Sequence, residues 1–150
     1  MFQWRFALTR SRAQKSDLTD AEYRKLAAFR QALRGFVAFS AAEAAAIGLT
    51  PRQHQVLLAI RGWPDSMPPN IKSLAERMMI RHNSAVGLIQ RLEAAGFIQR
   101  IESSGDRRFI QLSLTPKGEA ALAALSASHL TELRQRGPRL VEMLQALISG

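Results

Sequence analysis

The sequence predicts a mainly α chain interrupted once by a small β-hairpin, and three observations predict it. Thr19, Thr50, Asn70 and Thr115 each stand in front of a run with apolar residues at helical spacing, where a side-chain oxygen can cap the first free N–H groups. Gly48 follows the end of one such run, where a left-handed residue stops a helix without steric cost, and Gly62 and Gly96 end two others. Only between Phe97 and Thr115 does the apolar period shorten to two, on either side of the polar stretch Ser103-Ser104-Gly105-Asp106-Arg107. At 150 residues, 47% hydrophobic and 22% charged, the chain has one domain's length and an ordinary globular composition, which excludes a collagen-like or mostly disordered chain.

The elements follow in order. Residues 1–17 carry four basic residues against one acid and no apolar leader pattern, and are read as a mobile basic arm. Thr19-x-x-Glu22 is a capping box, with Leu18 and Tyr23 placed for a hydrophobic staple. A helix from there through Leu26, Phe29, Leu33, Phe36 and Ala44 to Gly48 would be about 40 Å long, more than a compact domain of this size needs. Part of its apolar stripe is therefore expected to pack outside the monomer. Thr50-Pro51-Arg52-Gln53 opens a second, short helix through Val56, Leu57 and Ile60. After a Pro-rich loop, Asn70 caps a third helix with Ile71, Leu74, Ala75 and Met78 inward, and a fourth follows with Ala85, Leu88, Ile89 and Leu92 inward. Two short amphipathic helices joined around 79–81 predict a helix-turn-helix, and the hairpin after them predicts a wing. Thr115-Pro116 starts a further helix, Gly137-Pro138 is expected to break it, and Leu140 to Ile148 to form a last short one. The fold class is thus mainly α with a small β-hairpin wing, a winged helix-turn-helix over 49–114 joined to a helical dimerisation region made of 18–48 and 115–150.

Charge and chemistry narrow the function. Lys plus Arg is 21 and Asp plus Glu 12, a net charge of +9, and such an excess favours a polyanionic partner. Residues 71–118 hold eight basic and four acidic residues, whereas 119–150 are balanced at three and three. With no cysteine there is no disulfide, thiolate metal site or cysteine nucleophile. Three scattered histidines, with no Gly-x-Ser-x-Gly, His-Glu-x-x-His or phosphate-binding Gly-rich loop, make no catalytic set, so neither an enzyme nor a cofactor is expected. No apolar run reaches the roughly 18 residues of a membrane span, so the expected localisation is cytoplasmic, away from a membrane.

The outward face of the fourth helix carries His82, Asn83, Val86, Gln90 and Arg91, with Arg81 and Ser84 near its start. Asn and Gln pair bidentately with adenine, Arg with guanine, and Val reaches a thymine methyl, so this face suits the major groove of double-stranded DNA. Arg107 and Arg108 at the hairpin tip suit a narrow, negative minor groove, with Asp106 orienting a guanidinium. His82 is read either as a DNA contact or as ordinary surface. His54 and His129 are expected to be satisfied core or interface histidines, or to line an effector pocket. Phe29, Phe36 and Phe39 are expected in a core or dimer seam, and Trp63 packed at a loop edge.

Leu74-Ala75-Glu76-Arg77, the run from Ser84 to Ile98, Asp106-Arg107-Arg108 and Leu114-Thr115-Pro116-Lys117-Gly118 together resemble the MarR family of bacterial transcriptional regulators. The resemblance spans roughly Thr19 to the C-terminus. It implies a homodimer built from the first and last helices, a palindromic operator, commonly repression, and a possible small-molecule effector bound between the dimerisation and DNA-binding parts. It places Ser84 to Arg91 on the recognition helix and makes Arg108 the wing arginine, with Asp106 its partner. One departure stands out: Arg81-His82-Asn83 occupies the place of a small hydroxyl N-cap. A reading of another class is a winged-helix protein-interaction module that binds polyanions nonspecifically through its arm, but such a wing would more often show exposed aromatics.

Overall fold

The computed structural model describes residues 18–102 and 110–149. The basic arm, Asp106, Arg107 and Arg108 lie outside the described residues. Five helices and a two-stranded antiparallel sheet follow in the order α1 (Asp20–Ala46), α2 (Pro51–Arg61), α3 (Ile71–Arg77), α4 (His82–Ala94), β1 (Ile98–Glu102), β2 (Ile110–Leu114) and α5 (Pro116–Ile148). This is the expected mainly α, winged helix-turn-helix fold, with one difference in the last helix.

Local chemistry sets the helix starts. Thr19 and Thr50 form complete capping boxes with Glu22 and Gln53, and Asn70 forms one with Ser73. Three of the stops share one geometry. After α1, α3 and α4, the third residue beyond the helix donates its N–H to the carbonyl five residues back: Leu49 to Ala44, Ile80 to Ala75 and Phe97 to Leu92. The residue just before each donor is left-handed. It is Gly48 at φ 76° and Gly96 at φ 77°, but in the helix-turn-helix it is Met79 at φ 54°, a position that costs an L side chain about 1 kcal/mol. Gly62 ends α2 as expected, at φ −92° and without a left-handed turn.

α1 and α5 run antiparallel along each other. Lys25 Nζ donates to the Ala146 carbonyl at 3.2 Å at one end, and the Ser128 hydroxyl donates to the Glu43 carboxylate nearer the other. α2 turns away from α1 at 91° and carries α3, α4 and the hairpin with it. Leu57, Leu74, Ile89, Leu92 and Leu112 are all but inaccessible and centre a core that Leu122 and Leu125 of α5 complete. In the hairpin Ile98 pairs with Leu114 and Glu102 with Ile110; Leu112 and Leu114 point inward as their alternation predicts. The loop before α3 adds one bond to β2, from Leu112 N–H to the Pro69 carbonyl at 2.8 Å.

The expected break at Gly137-Pro138 does not occur: α5 is a single helix of 33 residues with Pro138 inside it. Proline removes only its own N–H and crowds the carbonyl four residues back, at Arg134, which is exposed and open to water. Contacts with α1 hold the helix on the C-terminal side, as at Ala146, so one lost bond does not end it.

The junction of β2 and α5 explains the Leu-Thr-Pro-Lys-Gly segment. Thr115 caps α5 through Gly118 N–H at 3.1 Å and donates its hydroxyl to the Gly96 carbonyl at 2.6 Å. Lys117 Nζ donates to the Ala95 carbonyl at 2.7 Å and sits 4.4 Å from the centre of the Phe97 ring, a cation placed on the C-terminal end of α4. Gly118 lies so close to this strand that a Cβ on it would come within 2.0 Å of the Phe97 carbonyl oxygen. The end of α4, the start of the hairpin and the start of α5 thus form one rigid joint.

Candidate nucleic-acid interface

α4 buries Ala85, Leu88, Ile89 and Leu92, which leaves Asn83, Gly87 and Gln90 at its outward pole. His82 and Val86 lie on one flank of that pole, Ser84 and Arg91 on the other. Arg81, His82, Asn83, Ser84, Gln90 and Arg91 are all exposed, and Val86 is half-buried. The structure therefore gathers the expected readers of the fourth helix on one surface, free of aromatic side chains. Arg81 occupies the N-cap and makes no side-chain capping bond, in contrast to the caps of the other four helices. The first N–H groups of α4 are left for another acceptor, as the missing hydroxyl in the sequence suggested.

Two residues of this surface were not anticipated. Arg52, in the first turn of α2, joins Asn83, Ser84, Gly87, Leu88 and Arg91 around a recess of about 310 Å³. Gly87 sits at the pole itself, where a Cβ would meet nothing nearer than the Arg91 guanidinium at 3.8 Å. Spacing offered a signal for Gly87, which lies one helical turn from both Asn83 and Arg91. Arg52 had none, because its place depends on how α2 packs against α4.

The hairpin is tied to this helix by Arg100 of β1, whose Nε lies 3.0 Å from the Glu93 carboxylate. On the other side of the helix pair, the Arg77 guanidinium lies 5.3 Å over the Trp63 ring, which packs the loop edge as expected.

The two histidines of the helical junction differ from each other. His129 of α5 donates from Nδ1 to the Leu125 carbonyl at 2.6 Å, since a carbonyl can only accept, and its Nε2 is hydrogen-bonded with the Ser40 hydroxyl of α1 at 2.7 Å. Phe36 and Phe39 set their edges against this ring. His54 of α2 is 4% exposed, stands 4.8 Å from the His129 ring, and its Nδ1 finds no hydrogen-bond partner. The expectation of a satisfied histidine holds for His129 and fails for His54, whose Nδ1 is buried without a partner beside the His129 ring. Burial holds the pKa of His54 below the ordinary histidine value, and His129 adds to the effect. Among the described residues no three His, Asp or Glu side chains gather to hold a metal ion.

Comparison with known proteins agrees with this architecture. The sequence model of the MarR family matches residues 47–108. A search of curated proteins finds no match. Among solved structures, AbsC, a MarR family transcriptional regulator from Streptomyces coelicolor, superposes with a TM-score of 0.68 at 21% identity, over 87% of this chain and 91% of that one. A probable transcriptional regulator from Pseudomonas aeruginosa is 28% identical, with a TM-score of 0.59 over 80% and 90% of the two chains. A point mutant of MepR from S. aureus, bound to an oligodeoxyribonucleotide, superposes with a TM-score of 0.63 at 19% identity, over 83% and 97%. Residues 47–108, which carry α2, the helix-turn-helix and β1, match the MarR family model, and the chain has the winged-helix fold of the MarR family transcription regulators.

Proposed function

We propose that the protein is a dimeric, sequence-specific DNA-binding repressor that works in the cytoplasm. The observation that carries this reading is the exposed, amide- and guanidinium-bearing surface of α4, with Asn83 and Gln90 at its pole and Arg91 on its flank. Groove geometry supports it: a helix entering the major groove presents its outward pole to base edges and its flanks to the two backbones. Arg107 and Arg108 of the wing tip, with Asp106 as orienting partner, grip the flanking minor groove in this scheme. The module that binds protein instead is disfavoured by the lack of aromatic side chains on the α4 face.

Dimerisation is supported by what α1 and α5 leave uncovered. Leu26, Leu33 and Val37 of α1 and Val141, Leu144 and Ile148 of α5 are all at least 38% exposed. Between the two helices lies a cleft of about 600 Å³, lined by Phe36, Leu140 and Met143 among others, with the Glu132–Arg136 ion pair of α5, 2.7 Å long, along one wall. A second copy laying its own α1 and α5 against this face would cover it. Two α4 helices then enter successive major grooves about one helical turn apart on a palindromic site, and bound protein excludes polymerase. A small-molecule effector releases the DNA in this scheme by binding the dimer whose α4 helices are misspaced more tightly than the DNA-bound one.

Selection of bound duplexes from a random library tests the reading. The expected result is a palindromic site with half-sites about one helical turn apart, whose binding survives excess unrelated DNA. Gln90→Ala should relax the preference at one position of each half-site while leaving the others intact. Recovery of no shared sequence would sink the proposal.

A further inference from the structure

We propose that Arg52 of α2 and Arg91 of α4 form a clamp for one backbone phosphate of duplex DNA, in the recess beside the pole of α4. The proposal rests on the reading of α4 as the recognition helix and adds to it a backbone-gripping residue from outside the helix-turn-helix.

The recess is lined by Arg52, Asn83, Ser84, Gly87, Leu88 and Arg91 and holds no carboxylate. Its two guanidiniums come from helices separated in sequence by the whole of α3 and the loops around it, so their meeting is a product of packing and not of a local charge run. Among the described residues neither arginine is in an ion pair, whereas Arg61, Arg100 and Arg136 each have a carboxylate within 3.2 Å. Two like charges kept on one small concavity repel each other, and an anion between them removes that repulsion and gains from both. The remaining lining suits a tetrahedral oxyanion. Asn83 and Ser84 bring an amide and a hydroxyl, and Gly87 leaves the wall next to Arg91 free of any side chain. Leu88, 6% exposed, closes the base.

Position selects the source of the phosphate. The recess lies on the flank of α4, one side-chain row from the pole that carries Asn83 and Gln90. A helix seated in the major groove has a sugar–phosphate strand along each flank, so a base-reading pole and a phosphate-holding flank are two parts of one approach. The clamp supplies register: it fixes how far α4 is rotated about its own axis in the groove and thereby which base edge Gln90 meets.

Binding is measured by fluorescence anisotropy, over a series of salt concentrations, on a duplex selected by the wild-type protein and on a scrambled duplex of the same composition. For Arg52→Ala, with an unchanged circular-dichroism spectrum, the slope of log K against log salt should become shallower by about one unit, and affinity should fall by the same factor on both duplexes. Arg52→Lys, which keeps the charge, should restore most of the slope. An unchanged slope and affinity in Arg52→Ala, with wild-type discrimination intact, overturns the clamp and leaves the reading of α4 standing. A loss confined to the selected duplex makes Arg52 a base reader and also overturns it. Saturable micromolar binding of inorganic phosphate alone, with the DNA slope unchanged, assigns the recess to a free anion and is equally contrary. If the wild-type protein discriminates no duplex at all, the reading of α4 fails, and the clamp with it.

Discussion

Gly87 sets stability against the proposed DNA contact at the scale of one residue. A glycine inside a helix costs about 1 kcal/mol relative to alanine, and here an added Cβ would meet only the Arg91 guanidinium, at 3.8 Å, without a clash. Gly87→Ala should therefore raise the unfolding free energy by about 1 kcal/mol in urea titrations. The same methyl group, at the pole of α4, should hold the helix away from the groove and weaken binding to a selected duplex several-fold. A variant that is stabilised and binds as well as wild type would show that the pole does not approach DNA closely. His54 makes a different kind of statement. Its pKa is lower in the folded protein than the ordinary value of 6.5, so the unfolded chain binds more protons in the window below that value. The contribution of this residue to stability is complete above about pH 6.5 and is lost as the pH falls through the window beneath it. Unfolding at about pH 7.5 and about pH 5.5 should show a destabilisation at the lower pH that His54→Leu reduces. An equal loss in both proteins would place the pH effect elsewhere.

At the scale of elements, most boundaries were legible because they depend on chemistry within four or five residues. Thr19, Thr50, Asn70 and Thr115 cap where their side-chain oxygens can reach the next free N–H, and Gly48 and Gly96 stop helices where their φ permits. Two features were not legible for the opposite reason. Met79 holds a left-handed position that composition assigns to glycine, with packing of α3 against α4 bearing the strain. Pro138 ends a helix by local rules, yet α5 continues because α1 lies along it. Pro138→Ala restores a backbone bond and should raise stability by up to about 3 kcal/mol, read as a higher thermal midpoint with unchanged helix content. A marked gain in helical circular dichroism would instead mean that the helix is interrupted in solution. For the candidate site, the outward face of α4 was legible from the inward face it opposes. Arg52 was not, since it joins them only through the packing of α2.

For the whole molecule, charge and apolar surface are divided between the two parts. The segment 71–118 carries eight basic residues against four acidic ones on elements shaped for a groove, while 119–150 are neutral. The neutral part is also the one with the uncovered apolar stripe on α5, which suits a seam between two copies better than contact with phosphate. Val141→Glu, a charge on that stripe at a position 54% exposed in the single chain, should shift sedimentation toward the monomer at micromolar concentration. DNA affinity should drop with it, because two half-sites held by separate chains lose the gain of linked binding. A Val141→Glu protein that sediments as wild type would place the seam elsewhere.

The joint made by Thr115, Lys117 and Gly118 bolts α4 to the root of a helix of 33 residues, about 50 Å long. Such a helix is a pointer with its pivot at the α4 end. A tilt of about 5° at the pivot carries the far end by about 4 Å, and conversely a shift of that size at the far end turns the pivot by the same angle. In the proposed dimer, a joint that moves as one piece would pass a small rearrangement near Ile148 to α4 as rotation. In that dimer, affinity for two half-sites at a fixed spacing would become a gauge of how the far ends of two such helices sit against each other.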